Sequence, residues 1–180
     1  MKKGTFRIKG KRVFLRYPET SDLEEFTSLA KRSAQFHRGL MRLAKTEAEF
    51  ERFLQRASTD STEVLLICES ESNAIVGFIG LSQIFHGPFK SAYMGYGLGV
   101  QFTGNGYATE AVRLMTRYAF TKLGLHRIEA NIQPHNAASV NVVKRVGYHN
   151  EGYSPRYLKV GGKWRDHERW AITKEDWKGK

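Results

Sequence analysis

The sequence predicts an α+β domain with strands and helices interleaved around one sheet. Apolar periodicity switches between strand and helix spacing along the chain, in the order strand, two helices, three strands, helix, strand, helix, two strands. Hydrophobic content of 41% and charged content of 26% are those of a globular chain. With 180 residues, no low-complexity tract and no internal repeat, residues 1–180 read as one domain with a full core. The stretch Leu98 to Glu110, L-G-V-Q-F-T-G-N-G-Y-A-T-E, reads as a strand end, a glycine-broken turn and a helix start.

Phe6 and Ile8, then Val13 and Leu15, alternate with basic residues. They predict a hairpin or long first strand over Phe6 to Tyr17, with Gly10 at its turn and Pro18 at its end. Thr20-Ser21-Asp22 supplies N-cap residues, and Glu24 and Glu25 acidify the first turn of a helix whose apolar face is Leu23, Phe26, Leu29 and Ala30. His37 to Lys45 has no clean period and reads as linker or helix end. A second helix starts after Thr46 and uses Phe50, Phe53 and Leu54. Val64 to Cys68, V-L-L-I-C, is a continuous apolar run typical of a buried strand. Cys68 reads as core, and as the only cysteine it excludes an internal disulfide. Ser70 to Ala74 is a turn, Ile75 to Ile84 a strand, and His86-Gly87-Pro88 a break before the strand Ser91 to Val100. Ala111, Leu114, Met115, Tyr118 and Ala119 recur at helical spacing as far as about Leu123, with Gly124 as C-cap. His126 to Ile132 alternates as a strand, and Asn136 to Val146 is a helix closed by Gly147. Tyr148 to Val160 and Trp164 to Ile172 are strands joined at Gly161-Gly162.

The turn at 98–110 carries the first chemical signal. A turn feeding a helix N-terminus aims free backbone N–H groups and the positive dipole end at one point, which suits a phosphate. Gly104 and Gly106 let the backbone turn sharply beside a ligand, although an ordinary strand-to-helix turn has the same glycines. A P-loop is excluded, because Gly106 is followed by Tyr107 and Ala108 rather than Lys and Ser or Thr. A dinucleotide fingerprint is excluded, because Thr109 stands where its third glycine or alanine belongs.

The net charge of +11 is unevenly spread: residues 1–16 hold seven Lys/Arg and no acid, and 144–180 hold ten against five acids. Such a surface attracts an anion, whether a polyphosphate cofactor, RNA or a ribonucleoprotein, or else simply keeps the chain soluble. Aromatics interleaved in a repeating basic pattern are missing, which argues against direct nucleic-acid recognition. No apolar run approaches membrane-spanning length, and the N-terminal M-K-K-G-T-F-R-I-K lacks a signal-peptide core, so a cytoplasmic protein with no membrane contact is expected. The six histidines lack metal-ligand spacing, and no metal is expected.

Gln101-x-x-Gly104-x-Gly106 resembles the pyrophosphate loop of the GNAT superfamily of acetyl-CoA-dependent N-acetyltransferases. Downstream, Asn136, Ser139, Val143 and Gly147 fall at offsets 0, 3, 7 and 11, in register with that family's N-x-x-A-x-x-x-Y-x-x-x-G-F/Y. The tail E-G-Y-S-P-R-Y-L-K-V-G-G-K-W-R-D-H resembles the RimJ/RimL-type ribosomal-protein N-terminal (alanine/serine) acetyltransferases, whose helix also carries N-x-x-S. Resemblance is clear from about residue 91 to 172. It implies a GNAT fold: a mixed central sheet, helices on both faces, and splayed strands at 93–100 and 126–132 receiving the pantetheine arm of acetyl-CoA. It implies that acetyl-CoA, the cosubstrate, is held by Leu98, Val100, Gln101, Phe102, Thr103, Gly104, Asn105, Gly106, Tyr107, Ala108, Asn136, Ser139 and Lys144.

The same resemblance implies direct acetyl transfer to an amine, in first place the N-terminal α-amine of a protein such as a ribosomal protein. A small-molecule amine acetyltransferase and a non-catalytic acyl-CoA-binding module are the alternatives. Backbone N–H groups at Leu98–Val100 are candidates to polarise the thioester carbonyl. Where the wider family often has a tyrosine as general acid this chain has Val143, and Ser139 is the hydroxyl available to protonate or hydrogen-bond the departing thiolate. The subgroup often has an acid before Tyr-Leu, but here Arg156 precedes Tyr157-Leu158, and an arginine accepts no proton. Glu129 is then the candidate base if its face lines the cleft, and a structural partner of Arg127 or a lysine otherwise. His135 is a weaker candidate base. Lys144 and Arg145 are candidates for the 3′-phosphate of CoA, or solvated helix-end residues. An acceptor peptide is expected between Phe36, His37 and Arg38 on one side and Tyr153, Tyr157, Trp164 and Asp166 on the other, with Asp166 either attracting the amine or pairing with Arg165 or Arg169.

Overall fold

Alternation along the strands sorts apolar side chains onto the two faces of one twisted sheet. The computed structural model describes residues 6–179. Lys2, Lys3 and Lys180, part of the basic termini, lie outside the described residues. The strands are β1 (Arg7–Lys9), β2 (Val13–Arg16), β3 (Ser58–Thr59), β4 (Thr62–Glu69), β5 (Ile75–Phe85), β6 (Ser91–Leu98), β7 (Arg127–Ile132), β8 (His149–Val160) and β9 (Lys163–Thr173). The helices are α1 (Leu23–Arg32), α2 (Glu47–Arg56), α3 (Tyr107–Thr121) and α4 (Ala137–Val146). The sheet runs β1-β2-β4-β5-β6-β7-β9-β8, with β3 pairing on β4. Every pairing is antiparallel except β6 with β7, so the sheet is mixed.

In β2 and β4, Val13, Leu15, Leu65 and Ile67 enter a core with α3 and α4, while Phe14, Leu66 and Cys68 enter a second core with Phe26, Leu29 and Phe50 of α1 and α2. This two-sided burial is why V-L-L-I-C reads as a continuous apolar run. Cys68 is fully buried, and burial pushes its thiol up to about 11, as befits a core residue. Caps behave as their chemistry requires: Thr46 Oγ1 accepts the Glu49 N–H at 3.3 Å, and Gly147 closes α4 at φ +103. Thr20–Asp22 forms a 3-10 turn before α1. The strand expected to reach Val100 ends at Leu98, because Val100–Phe102 winds into another 3-10 turn. The two-residue β3 is too short to leave a period in the sequence.

The parallel pairing of β6 and β7 covers only Ser91–Tyr93 with Arg127–Glu129. Beyond it β6 runs on to Leu98 and β7 to Ile132, and the strands part into a gap. Leu98 lies opposite Gly77, and Gly99 N–H donates to Val76 O at 2.8 Å. Antiparallel alternation therefore turns the N–H and C=O of Tyr96 and Leu98 away from β5, towards the gap. Among the described residues no helix is long and apolar enough to cross a membrane.

Candidate functional site

After β6 the chain passes through Gly104 at φ +81 and Gly106 at φ +76 before α3 begins. No side chain caps this helix, and the Glu110 N–H is the one that reaches Gly106 O, at 3.1 Å. The N–H groups of Tyr107, Ala108 and Thr109 precede this first helical donor and stay free for an anion. Arg12, from the turn between β1 and β2, braces the loop: its Nη1 donates to Asn105 O at 2.6 Å and its Nε to Glu110 at 3.2 Å. A Cβ at position 106 would come within 2.8 Å of Arg12 Nη2, so the guanidinium lies against the loop. Burial pushes the Glu110 carboxyl up, but the Arg12 N–H and guanidinium outweigh it and hold the group below its ordinary range. Loop geometry and donor chemistry thus fit a pyrophosphate.

The loop opens onto a cavity of about 300 Å³ at the gap between β6 and β7. Phe36, His37, Leu40 and Met41 form one wall, Tyr96, Gly97 and Leu98 the floor, and α4 the far side through Asn136, Ser139, Asn141, Val142 and Arg145. Gly97 permits this closure, because a Cβ there would lie 2.6 Å from Met41 Sδ and 3.1 Å from the Phe78 ring. Asn136 Oδ1 caps α4 by accepting the Ser139 N–H at 3.2 Å, which fixes the first turn. Ser139 Oγ then meets Tyr96 Oη at 2.7 Å, and the Tyr96 hydroxyl also lies 3.1 Å from Ser139 O. Burial raises the Tyr96 phenol to about 12 against the opposing Ser139 bond, so it stays a proton donor. Val143 is fully buried in the α3–α4 core, so that position offers no hydroxyl to the cavity.

Of the residues expected to hold the cosubstrate, Leu98, Thr103, Gly104, Gly106, Ala108, Asn136 and Ser139 line the cavity. Val100, Gln101, Phe102, Asn105, Tyr107 and Lys144 do not. The Val100 N–H donates to Ser33 Oγ at 3.0 Å and the Gly99 N–H to Val76, leaving Leu98 as the amide turned to the gap. Gln101 is exposed, Phe102 packs against both cores, and Asn105 spends its carbonyl on Arg12. The Tyr107 hydroxyl donates to Glu69. Lys144 Nζ sits 5.3 Å over the Trp170 ring, and its neighbour Arg145 lines the cavity instead.

Glu129, the candidate base, has the structural partner that the sequence offered as its alternative, Arg127. It is absent from the cavity wall and accepts Arg127 Nε at 3.0 Å, while Arg127 Nη1 reaches Glu151 at 2.9 Å. His135 is exposed and off the cavity. Asp166 pairs with neither Arg165 nor Arg169; it accepts the Arg156 N–H at 2.8 Å and the Tyr153 hydroxyl, bracing a bulge in β8 where Arg156 takes φ +49. Tyr153, Tyr157, Trp164 and Asp166 stay outside the cavity, whereas Phe36 and His37 line it. Sequence reading missed Arg12 and Tyr96: the first lies far from the loop in the chain, and the second has a role only through its α4 partner.

A second cavity, of about 620 Å³, lies on the α1–α2 face, with Phe53, Phe78, Arg42, Arg52 and Arg56 among its walls. Phe78 and Met41 both abut the site of a Gly97 Cβ, so the two cavities adjoin across Gly97. Its carboxylate, Glu49, is occupied by Arg42 Nη2 at 2.5 Å and the Lys45 N–H at 2.8 Å.

Residues 12–149 match the acetyltransferase (GNAT) domain family. The chain belongs to the GNAT acetyltransferase family. This GNAT chain is 33% identical over 177 residues to the probable N-acetyltransferase YjcK of Bacillus subtilis, covering 94% of this chain and 98% of that protein. It is 37% identical over 109 residues to the ribosomal protein uS5-alanine N-acetyltransferase of Escherichia coli, covering 61% of this chain and 56% of that protein. Among solved structures, Mycobacterium smegmatis RimJ in complex with CoA-disulfide superposes with a TM-score of 0.83 at 28% identity, covering 91% of this chain and 82% of that one. The ribosomal-protein-S5-alanine acetyltransferase of Vibrio fischeri superposes with a TM-score of 0.81 at 25% identity, covering 96% and 99%. The GNAT chain is an acetyl-CoA-dependent N-acetyltransferase.

Proposed function

We propose that this GNAT enzyme acetylates the N-terminal α-amine of a protein, a ribosomal protein being the substrate class its relatives favour. The observation that carries acetyl transfer is the Ser139–Tyr96 hydroxyl pair set beside the gap between β6 and β7. Acetyl-CoA supplies the activated acetyl group. The free N–H groups at the start of α3, together with Arg12, hold its pyrophosphate. The Leu98 N–H, turned to the gap, serves as a donor to the reacting carbonyl oxygen. Ser139 and Tyr96 stabilise and protonate the departing thiolate.

Polyamines fit this site poorly. The cavity across Gly97 carries Arg52 and Arg56 beyond the Arg42–Glu49 pair, and their charges repel a polycation. Acetyl-CoA offered with peptides beginning Ala or Ser, with spermine and with free amino acids, and product analysis by mass spectrometry, decides the acceptor. Acetyl at the peptide α-amine is expected. Transfer only to small amines would favour a small-molecule acetyltransferase, and no release of CoA thiol with any amine would favour a binding module.

A further inference from the structure

We infer that His37 is the general base of this site, taking the proton of the acceptor ammonium on its Nδ1. The inference rests on the reading that an amine is acetylated here, and it answers the question raised by Arg156 and by the pairing of Glu129. Among the described residues the cavity wall carries no carboxylate. Its other titratable groups are Tyr96, a proton donor at neutral pH, and Arg145, which cannot accept a proton. His37 is what remains.

The fold also sets its tautomer. His37 Nε2 lies 2.8 Å from Leu98 O, and a carbonyl only accepts, so Nε2 carries the hydrogen and Nδ1 keeps a lone pair. Nδ1 has no hydrogen-bond partner among the described residues, and His37 is part of the cavity wall. The residue is 6% exposed, its backbone N–H donates to Ser33 O at 3.1 Å, and Phe36 packs edge-on at 5.0 Å, so the ring is held in place. Burial lowers the imidazole's proton affinity more than the Leu98 bond restores it, which keeps the ring neutral near pH 7. The charged and titratable groups around it are Arg38 beside it in the chain, Arg145 from α4 and Tyr96 from β6. None of them is an anion that would trap the imidazolium. The anchor matters as well: Leu98 turns both its carbonyl, bonded to His37, and its N–H towards the gap.

The protons balance. The ammonium gives one proton to Nδ1, and the freed nitrogen lone pair forms the C–N bond to the acetyl carbon. The C–S bond breaks with its electron pair left on sulfur. The thiolate takes a proton from Ser139 and Tyr96, the nitrogen's second surplus proton restores that pair as the amide forms, and the imidazolium releases its proton to solvent.

His37→Gln retains an amide N–H for Leu98 O but has no basic nitrogen. With the best acceptor of the panel above, turnover at neutral pH should fall about 10²-fold. The wild-type acid limb of kcat/KM, with an apparent pKa below about 6.5, should vanish, while acetyl-CoA affinity by calorimetry stays within about twofold. A His37→Gln enzyme with wild-type rate and pH profile would overturn the assignment and leave the acetyl-transfer reading standing. A wild-type enzyme that acetylates no amine would overturn both. NMR of the wild-type imidazole needs no variant: a neutral Nε2–H ring at pH 7 is expected, and an Nδ1–H or doubly protonated ring overturns the base role.

Discussion

Tyr96 and Ser139 come from β6 and α4, and the bond between their hydroxyls exists because the Asn136 cap sets the first turn of α4 against the strand. Ser139→Ala should lower kcat about 10²-fold while acetyl-CoA binding measured by calorimetry hardly changes, the expected cost of one transition-state hydrogen bond or proton donor. Adding Tyr96→Phe should cost less than its separate effect, because the two hydroxyls act as one unit. An unchanged kcat in Ser139→Ala would reduce Ser139 to a helix-start residue. At this scale Ser139 was legible from its register with Asn136 and Gly147. Tyr96 was not, because nothing near it in the chain announces a partner 43 residues on.

At the scale of elements, the turn between β6 and α3 is where local sequence says most. Glycines at 104 and 106 take the positive φ that their residue type permits, and α3 starts uncapped. Gly104→Ala and Gly106→Val impose similar backbone strain, on the order of 1–2 kcal/mol. Their surroundings differ: a Cβ at 104 meets no protein atom within 4 Å, whereas one at 106 meets Arg12. Both should weaken acetyl-CoA binding roughly tenfold or more, since each places carbon where a phosphate must approach the backbone. Thermal melts would show the strain and calorimetry the binding; unchanged affinity in both variants would remove the loop from the site. The segment 37–45 shows the opposite case. It reads as a linker because it has no helical or strand period, yet its turns carry His37, Leu40 and Met41 into the cavity wall.

Across the whole molecule, the excess of positive charge is placed as well as counted. Arg52 and Arg56 gather on the α1–α2 face beside the cavity, where Arg42 and Glu49 pair with each other. Peptides that follow the N-terminal Ala with acidic residues should show kcat/KM several-fold above those that follow it with lysines, and the gap should narrow as salt rises. Equal rates at low salt would show that the acceptor does not cross this face.

The sequence by itself determined the order of the longer strands and helices, the caps at Thr46 and Gly147, the glycine loop and the N-x-x-S register, because each depends on periodicity or on residue preferences within a few positions. Tertiary structure alone decided that Arg12 backs the loop, that Arg127 occupies Glu129, that Ser33 takes the Val100 amide, and that His37 and Tyr96 face one cavity. Those outcomes depend on which side chains the sheet brings together from distant parts of the chain. Local pattern records a residue's own conformation and burial, and the identity of its partner is set only when strands pair and helices pack.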